Sequence, residues 1–106
     1  KVLYETGVKN SMYDDKAKIR DELIMTLTAE LPVMRARLGM SQEVMASAIG
    51  VSRQTYSAIE TRTKKMSWTM FMALIAVLDM NEATSVMLDQ IPDYIQTIRQ
   101  LTEKVK

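Results

Sequence analysis

Histidine and cysteine are both missing from this chain of 106 residues. Their absence removes disulfides, thiol nucleophiles, Cys/His zinc sites and any imidazole general base. Glycine occurs only 3 times and proline only 2 times, which argues against collagen-like, disordered and turn-rich sandwich architectures. Aromatics make up 6% of residues. No long hydrophobic run is present: the longest nearly apolar stretch, Met70 to Leu78, is about half of the roughly 20 residues a bilayer span needs. The N-terminus lacks the charged-then-apolar pattern of an export signal. It begins with Lys1 rather than Met, which points to a native start upstream or a trimmed leader. The lack of cysteine fits a reducing, cytoplasmic setting, and no membrane partner is expected.

What remains is a chain with 47% hydrophobic residues, enough for one core. A chain of this size buries roughly 60–70% of the surface its unfolded form exposes. Apolar residues recur at spacings of three and four, and period-two β-branched runs are missing, so the fold class is all-α. Lys1–Asn10 has little periodicity and is expected to be a loose arm. Met12, Ile19, Leu23 and Leu27 mark a surface helix over Ser11–Thr26. Thr28 is the expected N-cap of a second helix running to Leu38, with Pro32 in its first turn and Leu31, Met34 and Leu38 facing inward. Gly39 ends that helix as a C′ residue.

Ser41 supplies an N-cap oxygen for the next helix, with Glu43 in the favourable first turn and Met45, Ala46 and Ile49 facing inward. Gly50 stops it, Ser52 caps Arg53 to Glu60, and Tyr56 and Ile59 are its buried positions. A polar, basic loop spans Thr61 to Met66. Ser67 caps a helix with Trp68, Phe71, Leu74, Ile75 and Leu78 inward, and Asn81 caps another containing Val86, Met87 and Leu88. Pro92 suits the first position of a last helix with Ile95, Ile98, Thr102 and Val105 along one stripe. The expected organisation is an N-terminal arm and helix over 1–27, a central domain over 28–90, and a C-terminal helix over 91–106 that either closes the core or pairs with a second copy. The ten methionines are read as core filler. Asp14-Asp15 and Asp21-Glu22 are read as a solvated acidic face, because adjacent helical residues point apart.

The stretch Ser41 to Glu60 carries the functional signal. Two short helices meet across Gly50-Val51-Ser52; Ala46 leaves room for a close crossing, and Gly50 sits where the chain turns sharply. This is the layout of a helix-turn-helix, whose second helix projects into a DNA major groove.

On these residues the chain resembles the lambda-repressor and Cro-like (Cro/C1-type) helix-turn-helix proteins, also called the Xre family. The matching features are Gly39-Met40-Ser41-Gln42, Ala46, Gly50-Val51, Ser52-Arg53-Gln54-Thr55 and Ile59-Glu60, with Arg35 upstream and Ser67 to Leu78 downstream. The resemblance covers roughly Leu31 to Leu88. It implies a compact five-helix lambda-repressor-like domain, here with extra N-terminal and C-terminal helices, that binds double-stranded DNA and regulates transcription. It further implies that Gln42 touches a phosphate, that Ser52, Arg53, Gln54, Ser57 and Ala58 line the groove-facing side of the recognition helix, and that Arg35 and Glu60 form an ion pair within the fold. The family's loop after the recognition helix usually reads Glu-Asn-Gly-Lys, whereas this chain has Glu60-Thr61-Arg62-Thr63. Either Arg62 takes the glycine's left-handed conformation at some cost, or the loop follows another path.

The chemistry of these residues agrees. Arginine can give two hydrogen bonds to guanine O6 and N7, glutamine can bond adenine N6 and N7, and serine and alanine offer small contacts. Loop cations Arg62, Lys64 and Lys65 suit phosphates. The net charge of +1 conceals a division. From Arg35 to Lys65 six bases stand against two acids, leaving +4, while the remainder has eight bases and eleven acids, leaving −3. A basic patch on an acidic body is the polarity expected of a DNA-facing surface. A homodimer is expected, since one such module buries little DNA. Two alternatives use the same fold: an antitoxin whose flanking helices hold a toxin partner, and a protein-interaction module that no longer reads DNA. No catalytic constellation, cofactor site or metal site is expected, and the chain outside the module is too short for a separate ligand-sensing domain.

Overall fold

The computed structural model describes the backbone of residues 2–91 and the side chains of residues 15–91. Within them lie α1 (Val2–Leu38), α2 (Gln42–Ile49), α3 (Arg53–Glu60), α4 (Trp68–Asp79) and α5 (Glu82–Asp89). There is no strand among the described residues. The proposed C-terminal helix, with its stripe Ile95, Ile98, Thr102 and Val105, lies outside the described residues.

Two expectations are corrected in α1. The stretch from Val2 to Asn10 is helical, not a loose arm, and a single helix crosses position 28 where a break was expected. Thr28 does not cap a helix; its hydroxyl donates to the Ile24 carbonyl at 2.7 Å, the back-bond of a mid-helix threonine. Pro32 therefore lies in a helix interior, where its missing N–H leaves the Thr28 carbonyl without the usual partner, at a cost of about 3 kcal/mol. The core decides the matter. Leu23, Ile24, Leu27, Leu31 and Met34 are all buried and continue one stripe with no shift of phase. Burying the three residues around the proline, Leu27, Leu31 and Met34, is worth about 2 kcal/mol each, which outweighs the lost hydrogen bond. The proline ring itself faces solvent.

The other expected caps are present. Ser41, Ser52 and Ser67 accept hydrogen bonds from the N–H groups of Val44, Thr55 and Met70, each at 3.1 Å. Asn81 does the same for Ala83 at 2.9 Å. Gly50 closes α2 at φ 79°, and the Val51 N–H reaches back to the Ala46 carbonyl at 3.0 Å, the six-to-one bond of a Schellman ending. This corner aims α3 across α2.

Beneath them, α1, α4 and α5 complete a core of Met45, Ala46, Tyr56, Ile59, Phe71, Leu74, Leu78 and Leu88 together with the α1 stripe. Trp68 stacks on Phe71 with ring centroids 4.6 Å apart. Leu38, Ile49, Trp68, Ile75 and Met87 are half-buried against that core, whereas Val86 is exposed. On a helix as short as α5 only Thr84 and Leu88, four residues apart, reach the interior. No single helix among the described residues is long and apolar enough to cross a membrane.

Candidate nucleic-acid interface

Helix α3 divides its residues by face. Tyr56 and Ile59 are fully buried, which turns positions 54, 57 and 58 away from the interior of a 3.6-residue helix and leaves 53 at the edge of that side. Arg53 and Gln54 are exposed, and among the described residues their side chains make no hydrogen bond or ion pair. Ser57 and Ala58 are half-buried, one turn further along. Ser52 is exposed, but its hydroxyl is already engaged: it accepts from the Thr55 N–H at 3.1 Å and donates to Thr55 Oγ1 at 3.0 Å. It is first a cap, and its one hydrogen is committed locally.

The inner end of α3 is fastened through Glu60. Arg35 donates to its carboxylate through Nε at 2.8 Å and through a terminal nitrogen at 3.2 Å. Tyr56 donates its hydroxyl at 2.6 Å and Gln42 its amide at 3.0 Å. Arg35 also donates to the Met40 carbonyl at 2.9 Å, so one guanidinium ties α1 to both the α1–α2 link and the end of α3. The ion pair with Arg35 was legible in the sequence; the parts played by Gln42 and Tyr56 were not. Tyr56 stands four residues before Glu60, a spacing that allows such a contact, but nothing in the sequence distinguishes Gln42 as its partner. One amide hydrogen of Gln42 points inward to Glu60.

These bonds fix charge as well as position. Burial pushes the Glu60 carboxyl up, but hydrogen bonds from Arg35, Tyr56 and Gln42 outweigh it and hold the group below its ordinary value. The hydrogen bond to Glu60 raises Arg35 against the opposing effect of burial. Burial first, and the bond to Glu60 second, push the Tyr56 hydroxyl well above its ordinary range. Because the Glu60 carboxyl is more acidic in the folded state, the unfolded chain binds the extra proton, and stability falls as acid is added. The expected result is full support from this group at neutral pH and progressive loss below about pH 4.5. Denaturant midpoints measured at neutral pH and down to about pH 3 check this: the wild type should lose more on acidification than Glu60→Gln.

The loop following α3 is wound tightly onto that helix. The Ala58 carbonyl accepts from the N–H groups of Thr63 at 3.0 Å and Lys64 at 3.2 Å. The Thr61 hydroxyl donates to the Ser57 carbonyl at 3.0 Å. Arg62 takes the left-handed conformation at φ 66°, so the first of the two loop paths is the one adopted. Arg62 and Lys64 are exposed, with no side-chain partner among the described residues. Lys65 differs, since its ammonium meets the Asp21 carboxylate of α1 at 2.7 Å. Both side chains of that pair are more than half exposed, so it is a weak tether. Asp21 is a member of the acidic face, and nothing in the sequence pattern linked it to this loop.

A left-handed arginine carries strain that glycine would not. Arg62→Gly should relieve about 1 kcal/mol of that strain or slightly more, less the added freedom of the unfolded chain, about 0.5–1 kcal/mol. The expected result is a thermal midpoint equal to or slightly above that of the wild type, checked by calorimetry. A clear loss of stability would mean that the guanidinium supports the fold.

Two short helices joined by a tight glycine corner, with the second exposing unpartnered arginine and glutamine, define an all-α helix-turn-helix domain. Residues 26–85 match the family model of a helix-turn-helix domain, and the chain belongs to that family, one suggestive of DNA binding. Comparison with curated proteins and with solved structures gave no match.

Proposed function

We propose that this chain binds double-stranded DNA in a sequence-specific manner and regulates transcription as a lambda-repressor-like, Xre-type protein. The observation that carries the reading is the exposure of Arg53 and Gln54, free of internal partners, on the first turn of α3 beside a fixed cationic loop. The first turn of a recognition helix lies nearest the bases. Arg53 would take guanine and Gln54 adenine, with Ser57 and Ala58 as close, small neighbours. The remaining amide hydrogen of Gln42, the N-termini of α2 and α3, and Arg62, Lys64 and Lys65 would meet phosphates. Action by occupancy follows: a bound copy blocks or assists polymerase. The reading includes a homodimer on a two-fold site, with residues 91–106 as the pairing segment.

Selection from random duplexes tests this directly. The expected result is an enriched motif containing guanine and adenine, repeated with two-fold symmetry at about one helical turn. Failure to enrich any motif would end the reading. Salt supplies a second measure. Three loop cations on phosphates should weaken binding about fortyfold per copy between about 50 and 200 mM salt. Affinity that hardly changes over that range would contradict contact by Arg62, Lys64 and Lys65.

A further inference from the structure

A cleft of about 280 Å³ opens between α1 and the loop after α3. Its floor is apolar, built from the buried Ile24 and Met66 with Thr28, and the exposed Met25 lines its edge. The Thr28 hydroxyl is already spent on the Ile24 carbonyl at 2.7 Å, so the floor makes no polar demand on an occupant. Its rim is cationic: Arg62, Lys64 and Lys65. Lys65 is drawn toward Asp21, but Arg62 and Lys64 have no side-chain partner among the described residues. Arg62 holds its place on the rim in a left-handed conformation that glycine would adopt without strain. Strained residues of this sort gather at ligand clamps.

An apolar hollow with a few converging polar groups is the usual form of a small-ligand site. At about 30 Å³ per water-sized atom, 280 Å³ holds roughly nine non-hydrogen atoms. We infer that this cleft binds a small anionic amphiphile, one carboxylate ending a chain of about eight carbons in all, and that its occupancy turns Arg62 and Lys64 away from DNA phosphates. The hydrocarbon would lie on Ile24, Met25 and Met66. The carboxylate would sit at the rim, where the arginine fork matches it with two parallel hydrogen bonds. The second half rests on the proposed DNA binding; the first does not. Because the same two cations would serve both ligands, each ligand must weaken the other by an equal factor.

Octanoate is the probe, titrated by calorimetry into the full chain without DNA, with the emission of the single Trp68, two residues from Met66, as a second signal. The expected result is saturable one-to-one binding, at least about fivefold weaker for octan-1-ol and undetectable for acetate, since one lacks the charge and the other the tail. Met25 is 61% exposed, so Met25→Glu should keep its helix content by circular dichroism while weakening octanoate at least about tenfold through like-charge repulsion. Arg62→Gly should weaken it to a similar degree. Unsaturable binding, equal binding of octanoate and octan-1-ol, or unchanged binding by both variants would overturn the site. Octanoate at saturation should lower affinity for the selected duplex at least about fivefold. Octanoate binding with unchanged duplex affinity would overturn the coupling. A chain that binds octanoate but selects no duplex keeps the cleft and loses the proposed function; a chain that selects a duplex but ignores octanoate does the reverse.

Discussion

Replacing Arg53 and Gln54 together with alanine is expected to weaken binding to the selected duplex by at least about thirtyfold, since each bidentate base contact is worth about 1–3 kcal/mol. The same double variant should melt within a few degrees of the wild type. Both side chains are exposed and make no hydrogen bond or ion pair among the described residues, and surface substitutions of that kind cost about 0.5 kcal/mol or less. The pattern across sequences is as informative as the size of the loss. Loss of a base contact should flatten the preference at one or two positions of the motif, while Lys64→Ala should weaken all duplexes alike and reduce the salt dependence by about one phosphate. Binding assays against the motif and its single-base variants would separate the two. A double variant that retains full affinity would mean that another surface reads the DNA.

The largest expected loss of stability comes from the opposite side of the same helix. Arg35→Ala should cost about 3 kcal/mol and lower the melting temperature by more than about 10 °C. The side chain of Glu60 is only 6% exposed and that of Arg35 21%, so alanine would leave a nearly buried carboxylate without its main counter-charge. Three of the bonds described above would go at once, including the one to the Met40 carbonyl. Arg37 provides the comparison. It lies in the same last turn of α1 but is exposed, and Arg37→Ala should change stability by about 0.5 kcal/mol or less. Thermal melts of the two variants would check the difference. Equal melting temperatures would mean that Glu60 is held by Tyr56 and Gln42 alone.

Where the sequence was informative, the information was local. Serine and asparagine before each helix, and glycine at the α2–α3 corner, act through bonds spanning a few residues, and so the boundaries of α2 to α5 were readable. The exposure of Arg53 and Gln54 followed from Tyr56 and Ile59 needing the interior. The N-terminal region was misread because proline and threonine near position 30 are local signals for a helix start, while the unbroken stripe from Leu23 to Met34 is a longer-range signal for continuity. Burial of that stripe outweighed the cap. Contacts distant in sequence were harder still. Gln42 with Glu60 and Lys65 with Asp21 depend on how helices cross, and a single sequence holds no trace of those crossings. The cleft beside Met25 and Met66 is of the same kind, because its floor and rim come from separate parts of the chain.

The way α3 is anchored separates two kinds of tolerance. Its hold on the body runs through Tyr56, Ile59 and Glu60, whereas the outward pair, Arg53 and Gln54, is exposed and makes no hydrogen bond or ion pair among the described residues. That pair can therefore be rewritten with little penalty to folding, as a typeface can be exchanged in an unchanged press. Descendants of such a chain could acquire new target sequences in small steps, each surviving as a folded protein before it had found anything to read.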